Sequence, residues 1–267
     1  AQLFCEHGAS VALVDLPDSP LQEVAASIRD AVPDAQVLCI PLDLGEEAAA
    51  REVVAQTLRQ WGQLDVVVNN ALRPYRFDPE TRDRFWALDW SHYQSQFDGA
   101  VRACFQVCQA ALPLMRKRSR GAIVNITSDL VDRPSVPYHD YTTAKSALVG
   151  FSRNLAADLG PLGIRVNCVC PGTVEGTRTA LPPRDAGVTL VDPGRHMTLG
   201  ILRRRPERAD VRTTFSRWMR VRSTMREIQA SATKPPPRSP IILVAVDLRP
   251  GFDELRHALL ESAVLLR

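Results

Sequence analysis

Ala122-Ile123-Val124-Asn125-Ile126-Thr127-Ser128, followed thirteen residues after that serine by Tyr141-Thr142-Thr143-Ala144-Lys145, decides how this chain is read. The run from Ala122 to Thr127 has the length and apolar character of a buried strand. Ser128 leaves it at the C-terminal end, the edge at which open α/β sheets present their ligands. Tyr141 and Lys145 are four apart, so on a helix they project from one face about one turn from each other. Ala144, Ser146 and Ala147 beside them are small enough to let a flat ligand reach that face.

These residue types belong together chemically. A phenol with a pKa of about 10 is a poor base near neutrality, but a neighbouring ammonium favours the phenolate, and each unit of downward shift is worth about 1.4 kcal/mol. Lys145 can therefore make Tyr141 a general acid/base. A serine hydroxyl both donates and accepts, so Ser128 can hold the carbonyl or alcohol oxygen whose proton Tyr141 moves. Tyr-x-x-x-Lys also occurs by chance, and the assignment needs the rest of the chain.

Val11–Asp15, Val37–Ile40 and Val66–Val68 are further short apolar runs, separated by helical stretches such as Glu46 to Trp61. Regular alternation of strand and helix predicts an α/β fold, a doubly wound parallel sheet with helices on both faces. Strands are predicted near 10–15, 36–41, 64–70, 121–128 and 163–169. Asp15, Asp43, Asn69-Asn70-Ala71, Ser128 and Pro171-Gly172 then fall at strand ends on one common edge, where one cofactor could meet them all.

From about residue 1 to about 178 the chain resembles the short-chain dehydrogenase/reductases. The resemblance is carried by Asn69-Asn70-Ala71 after the family's fourth strand, Ser128, Tyr141-x-x-x-Lys145 and Asn167-Cys168-Val169-Cys170-Pro171-Gly172, in the family's order and spacing. The stretches Tyr138 to Lys145 and Asn70 to Phe77 are similar to proteins labelled 3-oxoacyl-ACP reductase. The resemblance implies an NAD(P)-dependent oxidoreductase with a Rossmann-like core over 1–180, exchanging hydride between a nicotinamide and a small-molecule carbonyl or secondary alcohol. It implies Tyr141 as acid/base, Lys145 as its activator and a ligand of the nicotinamide ribose, and Ser128 as the oxygen holder. Asn69, Asn70 and Ala71 would line the adenosine side, with Asp43 and Leu44 as the adenine-side pair. Pro171, Gly172 and Val174 would lie near the carboxamide. Asp15 after the second family strand implies NAD(H) over NADP(H), because a carboxylate accepts from the ribose 2′-OH and repels a 2′-phosphate. The plainer reading of Asp15 is a turn-starting residue before Pro17. A homodimer or homotetramer is also implied for the intact protein, while the cysteines' apolar contexts read as a reducing, cytoplasmic location and the lack of a long apolar stretch reads as no membrane partner.

Three departures qualify the resemblance. The family's T-G-x-x-x-G-I-G turn should precede the helix that Ala1 to His7 finishes, with Gly8 as its stop, and this sequence does not contain it. A missing N-terminal piece is therefore expected, together with an incomplete sheet whose open edge invites aggregation. Weak dinucleotide binding is expected too, since hydrogen bonds to a charged group are worth roughly 1.5–3 kcal/mol each. Second, Gln96 stands where the family commonly places an Asn that holds a proton-relay water; an ordinary solvated helix residue is the alternative. Third, the family pattern ends near Thr179.

Residues 181–267 hold fifteen Arg and one Lys against nine acids, whereas residues 1–180 hold seventeen cations against twenty-one acids. Residues 181–240 read as an Arg- and Pro-rich segment, and 241–267 as a strand plus a helix, with Ile241 to Asp247 standing in for the family's last strand and Phe252 to Leu266 at helical spacing. A shifted reading frame would produce such a tail, and a basic nucleic-acid arm is its functional alternative, disfavoured because no aromatic platform accompanies the arginines.

The formal charge of +3 thus averages two unlike halves and says nothing of partners. Cys5, Cys39, Cys104, Cys108, Cys168 and Cys170 lie in apolar contexts and read as small buried residues. Cys104 and Cys108 share a helix face, but no histidine lies near them with zinc spacing. No stretch approaches the roughly 20 apolar residues of a membrane span. Two functional classes remain: the oxidoreductase, or a non-catalytic remnant acting through the family's dimer helices around Ala100 to Leu114 and Ala144 to Leu159.

Overall fold

The computed structural model describes residues 1–73, 75, 82–132, 134, 136–171, 198–200 and 241–245. Five strands follow the apolar runs closely: β1 (Ser10–Asp15), β2 (Val37–Pro41), β3 (Val66–Asn69), β4 (Gly121–Ile126) and β5 (Ile164–Cys170). Two more complete the sheet, β6 (Thr198–Gly200) and β7 (Ile241–Ala245). The helices are α1 (Gln2–Glu6), α2 (Leu21–Ala31), α3 (Ala49–Trp61), α4 (Trp90–Phe97), α5 (Ala103–Arg118) and α6 (His139–Leu159).

The seven strands stand in the order β2-β1-β7-β3-β4-β5-β6, with every pairing parallel except β5 with β6. Strand periodicity divides the core in two. Ala12, Val14, Val67, Ile123 and Val166 face a layer built from α3, α5 and α6, while Val11, Leu13, Val66, Val68 and Val124 face α1 and α2. Adjacent residues point to opposite faces, so strands buried on both sides read as unbroken apolar runs. Helix ends follow local chemistry. Gly8 takes φ +77 just after α1, and Gly62 takes φ +73 as the C-cap of α3, donating to Leu58 O at 2.7 Å. Both are left-handed positions that glycine adopts without a Cβ penalty.

The position of β7 corrects the sequence reading twice. Ile241–Ala245 does not replace the last strand. It lies between β1 and β3, with Leu243 in register with both Ala12 and Val67. In the usual doubly wound order the first strand of the chain holds this central place, and here the last of the described strands holds it. The expected open edge inside the sheet is accordingly absent: β7 joins β1 and β3 into one sheet. The last-strand place beside β5 is taken by antiparallel β6. The expected helix at 252–266, Gly172, Val174 and most of 181–240 lie outside the described residues.

Candidate active site

Ser128 emerges two residues beyond β4. Thr127 fixes this exit by donating its backbone N–H to Val169 O at 2.8 Å and its hydroxyl to the same oxygen at 3.1 Å. Ser128 is buried and extended, and its Oγ accepts from Leu130 N at 3.3 Å, capping the 3-10 turn Asp129–Val131. The following Asp129 N–H donates to Pro171 O at 3.0 Å, which ties the ends of β4 and β5 together.

Helix α6 turns Tyr141, Ala144, Lys145, Leu148 and Ser152 inward, the i, i+3, i+4, i+7 stripe of a helix lying on a sheet. Tyr141 is 8% exposed and Lys145 3%. Lys145 Nζ donates to Ile126 O at 2.7 Å and lies 5.8 Å from the Tyr141 ring centroid. A buried ammonium is costly unless hydrogen-bonded. The Ile126 carbonyl meets that need and fastens α6 to the strand end from which Ser128 departs two residues later. Tyr141 and Lys145 therefore share the sheet-facing side of their helix, as their spacing predicts.

A second layer escapes the sequence reading. Tyr75 packs its ring against Tyr141 (centroids 5.4 Å, tilt 35°) and edge-on against Tyr138 (5.7 Å, 89°). Its hydroxyl donates to Asp140 Oδ1 at 2.7 Å, and that same oxygen accepts the Tyr141 N–H at 2.8 Å. Burial, then the Asp140 hydrogen bond, hold the Tyr75 phenol well above the ordinary tyrosine range. The Phe85 ring packs against His139 at a tilt of 53°, with centroids 5.3 Å apart. The sequence singled out the Asn70–Phe77 stretch only as part of the resemblance, and spacing alone could not bring Tyr75 to a helix 65 residues away.

Beneath the site lies a buried polar network. Asn69 Nδ2 donates to Asn125 Oδ1 at 2.8 Å, Asn125 Nδ2 to Ser152 Oγ at 2.7 Å, and Ser152 Oγ to Leu148 O at 2.7 Å. The signal for it was an Asn inside an otherwise apolar strand. Asn69 is thus engaged with β4, while Asn70 and Ala71 continue toward the helices.

On the opposite side, the Asp15 carboxylate accepts from Leu16 N at 2.8 Å. Asp43 accepts from Gly45 N at 2.7 Å and pairs with Arg73 at 3.1 Å, and Leu44 is buried. Arg73 is a further residue the sequence did not single out. Its backbone nitrogen would lie 2.7 Å from a Cβ on Gly99, so Gly99 lets the segment after β3 cross the helix closely. Gly99 opens a π turn, Asp98–Arg102, between α4 and α5. Gln96, one turn before it, is buried with its Oε1 lacking a hydrogen-bond partner, which excludes the solvated reading. Leu44, Asn69, Ala71, Ala100, Cys104 and Lys145 line a small cavity between these parts. Burial pushes the Cys168 thiol up to about 11 and raises Cys170, while the Cys108 hydrogen bond and then burial raise Cys104, so these three thiols are held protonated.

Comparison with known proteins gives the family. A family profile described as enoyl-(acyl carrier protein) reductase matches residues 1–188. The chain is similar to zerumbone synthase of Zingiber zerumbet, 34% identical over 182 residues, covering 68% of this chain and 65% of that one. It is also similar to a 3-oxoacyl-[acyl-carrier-protein] reductase of Chlamydia muridarum, 33% identical over 183 residues, covering 67% and 69%. A solved NAD+-bound xylitol dehydrogenase superposes with TM-score 0.55 at 26% identity, over 64% of each chain. The chain thus spans about two thirds of the length of the curated relatives it matches. With a parallel sheet, a Tyr-x-x-x-Lys helix fastened to the fourth strand's end and relatives of this kind, the chain belongs to the short-chain dehydrogenase/reductase family of NAD(P)-dependent oxidoreductases.

Proposed function

We propose that this chain carries the site of an NAD(P)-dependent oxidoreductase that interconverts a carbonyl and a secondary alcohol, with Tyr141 as acid/base. The observation that carries the reading is the Lys145 ammonium, buried, hydrogen-bonded to Ile126 O and 5.8 Å from the Tyr141 ring centroid. A positive charge so placed favours the phenolate. A bound nicotinamide would supply the hydride acceptor for the oxidative direction. Tyr141 takes the hydroxyl proton, and Ser128 Oγ holds the oxygen through the change from alcohol to carbonyl. Reduction reverses each transfer. The partnerless Gln96 Oε1 fits a water that returns the proton to bulk.

The residues suit the cofactor. Asp43, Leu44, Asn70 and Ala71 form the adenosine wall, Lys145 the ribose contact, and Pro171 begins the carboxamide segment that Gly172 and Val174 continue. Asp15 followed by Leu16, Pro17 and Asp18 offers no cation for a 2′-phosphate, which favours NAD(H). A 3-oxoacyl thioester is one substrate class in keeping with the similar 3-oxoacyl-[acyl-carrier-protein] reductase. The α5–α6 surface, with Phe105 paired to Phe151 and with Phe105 and Leu162 exposed, suits a homodimer contact.

Calorimetric titration of NADH, then turnover with a panel of ketones and secondary alcohols, tests the reading. Binding without any turnover, in a chain whose Tyr141→Phe variant behaves identically, would leave only the non-catalytic alternative.

A further inference from the structure

Tyr75, Asp140 and Tyr141 form a closed arrangement that the acid/base scheme does not use. One carboxylate oxygen, Asp140 Oδ1, receives the Tyr75 hydroxyl at 2.7 Å and the Tyr141 N–H at 2.8 Å. Asp140 is 5% exposed, and the Tyr75 ring lies tilted against Tyr141 at 5.4 Å. A buried carboxylate immediately before Tyr141 opposes the work assigned to Lys145, because a nearby negative charge disfavours a second one. A hydrogen bond donated to that carboxylate draws its charge away from Tyr141 and toward the donor.

We propose that Tyr75 is a positioning residue for Tyr141: it packs the Tyr141 ring and masks the Asp140 charge, so that the Lys145 ammonium dominates the field at the Tyr141 phenol. The proposal rests on the reading of Tyr141 as acid/base. Tyr75 can hold this role throughout the working range, since burial and Asp140 keep its own phenol protonated well beyond the ordinary tyrosine value. The other ionisable groups on α6 and the elements packed against it are Tyr138 at its N-cap, His139, Lys145, Arg153 and Asp158 along it, Asp129 and Asp132 after β4, His92 and Tyr93 on α4, Asp98 and Arg102 in the π turn, and Arg165, Cys168 and Cys170 on β5. It is Asp140 Oδ1 that joins the Tyr75 hydroxyl to the Tyr141 backbone by the hydrogen bonds given above.

The chain has four tyrosines, Tyr75, Tyr93, Tyr138 and Tyr141, so ¹³Cζ-tyrosine labelling gives four phenol signals, assignable by single Phe substitutions and followed by NMR against pH without any cofactor. Tyr75→Phe keeps the ring and loses the mask. At a fixed pH below the midpoint it is expected to lower the Tyr141 phenolate fraction roughly three- to tenfold, half to one pH unit in midpoint. Asp140→Asn keeps both accepted hydrogen bonds and removes the charge, and it is expected to move the midpoint the opposite way. The double variant should follow Asp140→Asn alone, because a mask has no effect once there is no charge to hide. A Tyr141 midpoint unmoved by Tyr75→Phe, or moved in one direction by both single variants as loosened packing would do, overturns the proposal. Failure of the underlying reading shows separately: Lys145→Met would then leave the Tyr141 signal where it was in the parent chain.

Discussion

In the proposed scheme Ser128, Tyr141 and Lys145 set the chemistry and a few more residues set the conditions for it. Tyr141→Phe should lower turnover by orders of magnitude while leaving dinucleotide affinity nearly intact, because it removes the proton donor and keeps the ring. Lys145→Ala should damage both, since it takes away the activating charge and the proposed ribose contact. Steady-state rates beside NADH titration separate the two. Asn125 is the structural counterpart. Its amide bridges Asn69 and Ser152, so Asn125→Leu strands buried polar groups at a cost of about 1–3 kcal/mol each, read as a lower urea midpoint with unchanged m-value. Tyr75 adds a pH dependence of stability. Its phenol is raised in the folded state, so the unfolded chain releases this proton first, and stability present below pH about 10 falls as pH rises further. Tyr75→Phe should flatten that alkaline loss, measured by chemical denaturation between pH 9 and about 11.

Elements carry these side chains by backbone geometry more than by propensity. Helix α6 can present Tyr141 and Lys145 together because four residues complete about one turn, and the Lys145–Ile126 bond then fixes the helix against β4. The π turn after α4 widens the helix where Gly99 meets the backbone of Arg73. A Gly99→Val side chain would collide with that backbone, which cannot move aside as a side-chain tip would, and should distort the Asn70–Arg73 segment and weaken cofactor binding. Strand β7 is held by ladders on both sides. Leu243→Pro removes an N–H from a central strand, where proline is essentially excluded. A loss of about 3 kcal/mol or more is expected by urea denaturation, and an unaltered midpoint would mean that β7 contributes nothing to the sheet.

At the scale of the whole molecule the cofactor preference and the assembly can be measured together. NADPH should bind at least about tenfold more weakly than NADH, about 1.4 kcal/mol, because its phosphate meets Asp15 with no cation at positions 16 to 18. Equal affinity would assign Asp15 to the turn alone, where it already accepts from Leu16 N. Multi-angle light scattering should return at least a dimer, with Phe105→Glu shifting it to monomer. Among the described residues no helix is long and apolar enough to cross a membrane.

Apolar runs at strand length, helical spacers and the Tyr141–Lys145 interval were sufficient to read five strands, the sheet's parallel character and the side of α6 that carries the site, because period and burial are local properties written along the chain. Asp15, Asn69, Ser128 and Pro171 could be placed at strand ends for the same reason. What depended on segments far apart in sequence was decided by the tertiary structure alone. Tyr75 reaches Asp140 across 65 residues, Arg73 pairs with Asp43 across 30, and β7 enters the sheet more than two hundred residues after its neighbour β1. No local pattern encodes such meetings. They follow from which buried strand backbone remains to be hydrogen-bonded and which buried carboxylate remains to be satisfied once the locally specified elements have packed.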